Sequence, residues 1–88
     1  MIIKIDKSLD RDVKKIRDKS LLVKLALIIE NIRNAKKLSD IEHLKNLKGY
    51  HNYYRIKSGD YRLGLIFENG ELYLLRFMHR KDIYRYFP

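Results

Sequence analysis

The chain has 88 residues, a formal net charge of +9 and no cysteine. Its length predicts a single domain over residues 1–88, and its 45% hydrophobic content argues against disorder. Without cysteine, disulfide and thiolate chemistry are excluded and a cytoplasmic location is expected. No apolar run is long enough for a transmembrane helix, so no membrane association is expected. The excess charge is spread over the chain, which predicts a polyanionic partner such as RNA, DNA or an acidic protein.

The first part of the chain predicts one strand and two helices. Residues 1–6 alternate weakly between apolar and polar, as in a short strand. Ser8 or Asp10 is expected to cap a first helix. A second helix opens at Ser20 and runs to about Ala35, because its apolar residues recur with a period of 3.6. Those residues, which are expected to face the core, are Leu22, Leu25, Ala26, Ile29 and Ile32.

The rest of the chain is typical of an antiparallel sheet. Residues 38–48 are interpreted as a loop with a helical turn that leads into a short extended piece. Two-residue turns, Ser58-Gly59 and Asn69-Gly70, divide the remainder into hairpins. The predicted class is α+β, with an N-terminal strand and a helical hairpin packed on a mainly antiparallel sheet. The predicted strands span about 52–57, 61–67 and 72–78, and a short final helix spans about 79–86.

Centring the first turn on Ser58-Gly59 predicts the register of the hairpin. Ile56 then faces Tyr61, and Arg55 faces Arg62, whereas a shift by one residue would mix apolar and charged side chains on one face. Leu75 and Phe77 are expected on the same face as Arg62. The predicted core-facing residues are Tyr54, Ile56, Tyr61, Leu63, Leu65 and Phe67, and the opposite face carries Arg55, Lys57 and Arg62.

Aromatic and basic residues are interleaved in residues 50–88, which contain all the aromatic residues of the chain. Basic groups bind phosphates and aromatic rings stack on bases, so this pattern favours contact with single-stranded nucleic acid. Two opposed arginines repel each other, which a purely structural sheet would avoid. The alternative is that the tyrosines are core residues and that Asp60 or another carboxylate neutralises the pair.

The residue types limit the chemistry. The three histidines show no metal-ligand spacing, and no phosphate-binding loop or nucleophile motif is present, so neither a metal nor another cofactor is expected. RNA can supply its own nucleophile, the 2′-hydroxyl, if a protein aligns the attack, stabilises the phosphate charge and moves protons. The side chains that could do this are Arg55, Lys57, Arg62, His79, Arg80 and Tyr84.

Three segments carry a family resemblance: 47–49 (Leu-Lys-Gly), 54–63 (Tyr-Arg-Ile-Lys-Ser-Gly-Asp-Tyr-Arg-Leu) and 79–84 (His-Arg-Lys-Asp-Ile-Tyr). Together they resemble the RelE/ParE superfamily of toxins from toxin–antitoxin systems, as do the length, the charge and the order of elements. The RelE branch contains ribosome-dependent endoribonucleases that cut mRNA in the decoding site. The resemblance therefore implies a metal-independent ribonuclease that inhibits translation, with mRNA on the ribosome and an antitoxin as partners.

The resemblance also implies roles for individual residues. Arg55 and Lys57 match two strand lysines that serve in proton transfer and phosphate binding, and Arg62 matches an arginine that stabilises the transition state. Because arginine stays protonated, the role of base would fall to Lys57. Arg80 matches an acid or phosphate ligand, and Tyr84 matches a tyrosine that stacks on the mRNA base. His79 remains a candidate for the acid step, and the further RNA-binding candidates are Tyr54, Lys81 and Arg85.

Two other functions are compatible with the same sequence. The ParE branch of the superfamily poisons DNA gyrase and needs no RNA-cutting residues. A non-catalytic module that binds RNA or an antitoxin would keep the charge and tolerate loss of Lys57 or Tyr84. The joint presence of Arg55, Lys57, Arg62 and Tyr84 favours the ribonuclease.

Overall fold

The computed structural model describes residues 1–88 and confirms the predicted α+β class: two helices pack on a five-stranded mixed sheet. The strands are β1 (Ile2–Ile5), β2 (Lys45–Asn46), β3 (Tyr53–Ser58), β4 (Tyr61–Glu68) and β5 (Glu71–His79). The helices are α1 (Lys7–Lys14) and α2 (Lys19–Asn34), and two 3₁₀ turns span Leu38–Asp40 and Ile83–Arg85. The strand order is β1-β5-β4-β3-β2, in which β1 runs parallel to β5 and the other neighbours are antiparallel. Neither helix combines the length and apolarity of a membrane span.

Aspartates in extended conformation start both helices. The Asp6 carboxylate accepts a hydrogen bond from the Ser8 amide, and the Asp18 carboxylate accepts from the amides of Ser20 and Leu21. These contacts satisfy backbone donors that have no partner within the helix. The prediction that Ser8 or Asp10 caps α1 was therefore wrong, because the chain passes directly from β1 into the helix at Asp6. The predicted end of α2, near Ala35, is confirmed.

The helical hairpin covers one face of the sheet. Leu9 from α1 and Leu25 and Ile32 from α2 belong to the same buried apolar cluster as Leu63 and Leu65 of β4. The predicted packing of helices on sheet is therefore confirmed. The set of α2 residues that face the core differs in part from the prediction. Leu21 is buried, whereas Leu22 is only partly buried and Ala26 is exposed.

The first hairpin has a different register from the predicted one. Ser58 pairs with Tyr61 and Lys57 with Arg62, so Gly59 and Asp60 form the turn. Gly59 has a φ of +57°, which glycine adopts without strain. The shift amounts to two residues in the pairing, and side chains alternate with a period of two. The predicted faces of β3 and β4 are therefore correct, although the predicted Arg55–Arg62 pair is replaced by Lys57–Arg62.

A β-bulge changes the register of the second hairpin. Leu65 pairs with Leu74 but Gly64 pairs with Arg76, so Leu75 is the extra residue on β5. After the bulge, the side chains of β5 point to the opposite face of the sheet from the one that simple alternation predicts. Phe77 is therefore buried beside Leu63 in the core. The prediction that Phe77 shares a face with Arg62 was therefore wrong. The Asn69-Gly70 turn is confirmed, with positive φ at both residues.

The segment after β5 lies on the sheet face opposite the helices. It forms a single 3₁₀ turn, Ile83–Arg85, in place of the predicted helix over 79–86. Ile83 and Phe87 are 1% and 2% exposed, and the Phe87 ring lies edge-on to Tyr53 at 5.5 Å. A Cβ on Gly64 would lie 2.8 Å from that ring, so the ring occupies the space that a side chain would fill. Side-chain burial, rather than a regular helix, holds this segment.

A candidate nucleic-acid interface on the sheet

Four cations on three adjacent strands form the cationic face of the sheet. Lys45 of β2 pairs with Arg55 of β3, and Lys57 of β3 pairs with Arg62 of β4. Residues paired across strands point to the same side, and positions two apart in one strand share a face. The four cations therefore lie on the side away from the helical hairpin. We refer to Lys45, Arg55, Lys57 and Arg62 as the cationic face.

The turn between β3 and β4 orients Arg62. Its Nη1 donates to the carbonyl oxygens of Gly59 and Tyr61, at 2.8 and 2.9 Å. Both acceptors are neutral backbone groups, so the guanidinium charge is not cancelled. The planar guanidinium has five N–H donors in all, which leaves donors for an anionic ligand. The turn therefore holds the positively charged guanidinium of Arg62 in a defined orientation.

Neighbouring cations lower the pKa of Lys57. The largest cause is the charge of Arg55, followed by that of Arg62, with smaller effects of desolvation and Lys45. Repulsion between like charges disfavours the protonated amine. A larger fraction of Lys57 is therefore neutral at a given pH than for an isolated lysine, and a neutral amine can accept a proton.

No carboxylate neutralises the cationic face. Its four residues form no ion pair within 4.0 Å, and Asp60, the candidate partner in the turn, lies 3.7 Å from Arg80 instead. The Arg80 backbone also donates to the Asp60 carbonyl oxygen at 2.7 Å. The alternative that a carboxylate neutralises the pair is thus not what the structure shows. Asp60 instead holds Arg80 next to the turn that orients Arg62.

Lys45 is a residue of the cationic face that is not among the predicted site residues. The prediction for residues 38–48 is a loop that leads into a short extended piece, without a role for Lys45. The two-residue strand β2 places Lys45 opposite Arg55. A lysine two residues before the Leu-Lys-Gly segment was the only signal in the sequence, and such a signal does not distinguish a strand lysine from a solvated one.

The structure does not bring all predicted site residues together. His79 pairs with Tyr61, which packs on the core, so the His79 ring lies on the helix side of the sheet, away from Lys57. Its Nδ1 accepts a hydrogen bond from the Lys81 amide at 3.1 Å. Tyr54 also packs against the core cluster. His79 and Tyr54 are therefore separated from the cationic face by the sheet itself.

The other predicted residues lie after β5 with their side chains exposed. Arg80 and Lys81 follow the strand directly, and Tyr84 and Arg85 lie in the 3₁₀ turn. Tyr84 is 54% exposed, as expected for a ring that is free to stack on a ligand. This segment and the cationic face occupy the same side of the sheet, because Phe87 is seated on Gly64 beside Arg55.

A buried ion pair joins the first helix to this region. The Asp12 carboxylate accepts from Nε and Nη2 of Arg76, at 2.8 and 2.9 Å, and from the Phe77 amide at 3.0 Å. The hydrogen bonds that Arg76 donates to Asp12 also raise the pKa of Arg76. The Arg76 guanidinium lies 5.2 Å from the centre of the Tyr86 ring, within range of a cation–π contact. Arg76 is neutralised and structural, unlike the four residues of the cationic face.

The arrangement can bind a phosphodiester and assist a proton transfer. Arg62 and Arg55 offer guanidinium donors, and Lys57 between them has a lowered pKa. No three histidine or acidic side chains come together in a way that could hold a metal ion. The chemistry available on this face is therefore that of positioned cations and one amine of lowered pKa, that of Lys57.

Comparison with known proteins identifies the family. No protein-family model matches the chain. The curated protein Toxin RelE3 of Methanocaldococcus jannaschii is 46% identical over 66 residues, which cover 74% of this chain and 75% of that protein. The toxin–antitoxin complex RelB-RelE from Methanococcus jannaschii matches with a TM-score of 0.79 and 36% identity, over 97% of this chain and 99% of the matched chain.

A more distant structure shares the fold alone. YafQ from E. coli has a TM-score of 0.62 at 18% identity, over 93% of this chain and 96% of that chain. The curated relative and the structure from Methanococcus jannaschii both exceed 30% identity over most of the chain. The match to the structure from Methanococcus jannaschii extends over nearly the full length of both chains. This chain belongs to the RelE family of toxins.

Proposed function

We propose that residues 1–88 form the toxin of a toxin–antitoxin system and that it acts in the cytoplasm as an endoribonuclease on ribosome-bound mRNA. The observation that carries the proposal is the position of Lys57, a lysine of lowered pKa between two arginines on a face without carboxylates. A structural sheet gains nothing from such repulsion, whereas a phosphodiester would relieve it. Membership of the RelE family supports the same activity.

The proposed reaction uses the 2′-hydroxyl of the RNA. Neutral Lys57 takes the proton of the 2′-hydroxyl, whose oxygen forms a bond to the adjacent phosphorus. The bond from phosphorus to the 5′-oxygen breaks, which leaves a 2′,3′-cyclic phosphate on one product and a 5′-hydroxyl on the other. Arg55 and Arg62 stabilise the added negative charge on the phosphate. Arg80, held by Asp60, donates a hydrogen bond to the leaving oxygen, which takes its proton from solvent.

The remaining predicted residues have binding roles in the proposal. Tyr84 stacks on a base of the mRNA, and Lys81 and Arg85 bind its backbone or ribosomal RNA. Tyr54 and His79 lie on the other side of the sheet, so any contribution from them acts through the positions of β3 and β5. The proposal therefore places the chemistry on Lys57, Arg62, Arg55 and Arg80.

The test is mRNA cleavage on programmed ribosomes by the wild type, Arg62→Ala and Arg33→Ala. Arg33 is an exposed cation on α2, remote in sequence and element from the cationic face, so its loss controls for the change in net charge. We expect cuts in the decoding-site codon from the wild type and Arg33→Ala, and loss of cutting of about 10²-fold or more with Arg62→Ala. Cutting that survives Arg62→Ala would refute the assignment. No cutting by folded wild type would favour gyrase poisoning or an inactive binding module.

We also propose an acidic or amphipathic antitoxin as partner. The net charge of +9 supports this partner, as does the matched RelE structure, which is an antitoxin–toxin complex. The test mixes this protein with the product of the neighbouring gene and measures binding by calorimetry at several salt concentrations. We expect a complex whose affinity falls as salt rises. Absence of binding at low salt would contradict the proposal.

A further inference from the structure

A polar groove extends the cationic face to the open edge of the sheet. It has a volume of about 340 Å³ and is lined by four residues, His43, Lys45, Arg55 and Lys57. None of the four is apolar or acidic, and none forms an ion pair within 4.0 Å. Glu42 lines a smaller neighbouring cavity with His43 and Lys57 and is likewise unpaired. The groove thus offers donors and positive charge, and no carboxylate is among the residues that line it.

The backbone around the groove is held in an unusual conformation. His43 has a φ of +62°, in the left-handed region that side-chain-bearing residues rarely adopt. Hydrogen bonds fix the chain on both sides: the Glu42 amide donates to Asn31 Oδ1 at 3.0 Å, and Asn46 Nδ2 donates to the Tyr53 carbonyl oxygen at 2.8 Å. Local strain that is held in place by surrounding contacts is a feature of binding sites. Here it places His43 at the groove beside Lys45.

The cationic face is too wide for a single phosphate. Lys45 lies on β2 and Arg62 on β4, with β3 between them. Adjacent strands are about 4.8 Å apart, and Arg62 is two residues along β4 from Gly64, which lies in line with Lys45 and Arg55, so the backbones of Lys45 and Arg62 are separated by about 12 Å. We propose that His43 and Lys45 form a second phosphate subsite, which binds the phosphodiester adjacent to the one held by Lys57 and Arg62. The inference rests on the proposed function for the identity of the polyanion as RNA.

Two short oligonucleotides distinguish binding at one phosphate subsite from binding at both. The probes are 2′-O-methyl UpU and UpUpU, which contain one and two phosphodiesters and cannot be cleaved through the 2′-oxygen. Binding to the free protein is measured by NMR titration at fixed low salt. For the wild type we expect UpUpU to bind more tightly than UpU. Lys45→Ala should weaken UpUpU by about three- to tenfold and leave UpU unchanged, whereas Lys57→Ala should weaken both.

Three further variants make the result specific. Lys45→Arg should restore UpUpU binding, and His43→Asn should weaken it, since asparagine tolerates a positive φ. Lys24→Ala, an exposed cation on α2, controls for net charge and should change neither affinity. Circular dichroism verifies the fold of each variant. The slope of log affinity against log salt concentration for UpUpU should also be shallower in Lys45→Ala, by an amount that corresponds to about one fewer released counterion.

The outcomes distinguish this inference from the proposed ribonuclease. If Lys45→Ala weakens UpU and UpUpU equally, or weakens neither, the second subsite is refuted. If the length-dependent loss is seen but the wild type cuts no mRNA on ribosomes, the subsite stands and the ribonuclease does not. If Lys45→Arg fails to restore binding although it folds, the role of positive charge at this position is refuted.

Discussion

Replacing Gly64 by alanine tests whether the segment after β5 is seated on the sheet by shape. Gly64 is buried in the middle of β4, and its φ is not in the left-handed region. In such a position alanine would normally stabilise a strand by about 0.5–1 kcal/mol, because glycine loses more conformational entropy on folding. Here the added Cβ would lie 2.8 Å from three ring atoms of Phe87.

The size of the effect follows from that contact. The ring must retreat by several tenths of an ångström to reach ordinary van der Waals distance, and Phe87 is only 2% exposed. Overpacking of this kind costs about 1–3 kcal/mol. After the normal gain of about 0.5–1 kcal/mol from alanine is subtracted, Gly64→Ala should destabilise the domain by about 1 kcal/mol, and by about 2.5 kcal/mol at most. In a domain of this size each kcal/mol lowers Tm by about 4–8 °C.

A double-mutant cycle provides the assay. Thermal and urea unfolding are measured for the wild type, Gly64→Ala, Phe87→Leu and the double variant. With the ring removed, Gly64→Ala should become neutral or stabilising, which gives a coupling energy of about 1 kcal/mol or more. If Gly64→Ala has the same effect with and without the Phe87 ring, the reasoning is refuted. The cause would then lie in the strand itself.

Three further predictions concern charge. Asp12→Asn should destabilise the fold by about 2–4 kcal/mol in urea unfolding, because it leaves the partly buried Arg76 charge without its counterion; a change within error would contradict this. In the pH–rate profile of mRNA cleavage, Arg55→Gln should move the inflection of Lys57 to higher pH, since removing a neighbouring cation favours the protonated amine; an unchanged or lowered inflection would count against Lys57 as base. Hydrogen bonds from the first turn of α2 lower the pKa of Asp18, so its stabilising effect is complete above the unfolded pKa and is lost as pH falls through the folded one. Asp6 and Glu71 also have lowered pKa values, so acid titration of unfolding should show a smaller loss of stability in Asp18→Ala than in the wild type; an equal loss in both would contradict this.

Local patterns were sufficient to predict most of the fold. The 3.6-residue period gave α2 to within one residue of its end, and the Asn69-Gly70 pair gave the second turn. The register of the first hairpin was not predictable, because Ser58-Gly59 and Gly59-Asp60 are both acceptable turns and both preserve the faces of the sheet. The bulge at Leu75 had no local signal in the sequence; next to it, the Asp12 carboxylate of α1 accepts a hydrogen bond from the Phe77 amide, a contact between residues far apart in the chain.

The candidate site was predicted as far as alternation along strands allows. Arg55, Lys57 and Arg62 share a face because their spacing and the hairpin require it. The position of Lys45 depends on a two-residue strand, which is too short for any periodicity. His79 was expected at the start of a final helix, whereas it is the last residue of β5 and pairs with Tyr61 on the helix side of the sheet, beyond the bulge. The positions of Lys45 and His79 depend on pairing between strands, which the local sequence pattern does not reveal.

The parallel pairing of β1 with β5 has a consequence for how the protein is made. The first strand to leave the ribosome has no other strand neighbour, and its partner residues, Glu71 to Leu74, are the last strand to be synthesised. Asp12 likewise cannot form its ion pair until Arg76 has been synthesised. Contacts of such large sequence separation form late and slowly. The five-stranded sheet is therefore completed only after β5 has emerged, and a toxin with the proposed activity stays incomplete until then on the ribosome producing it.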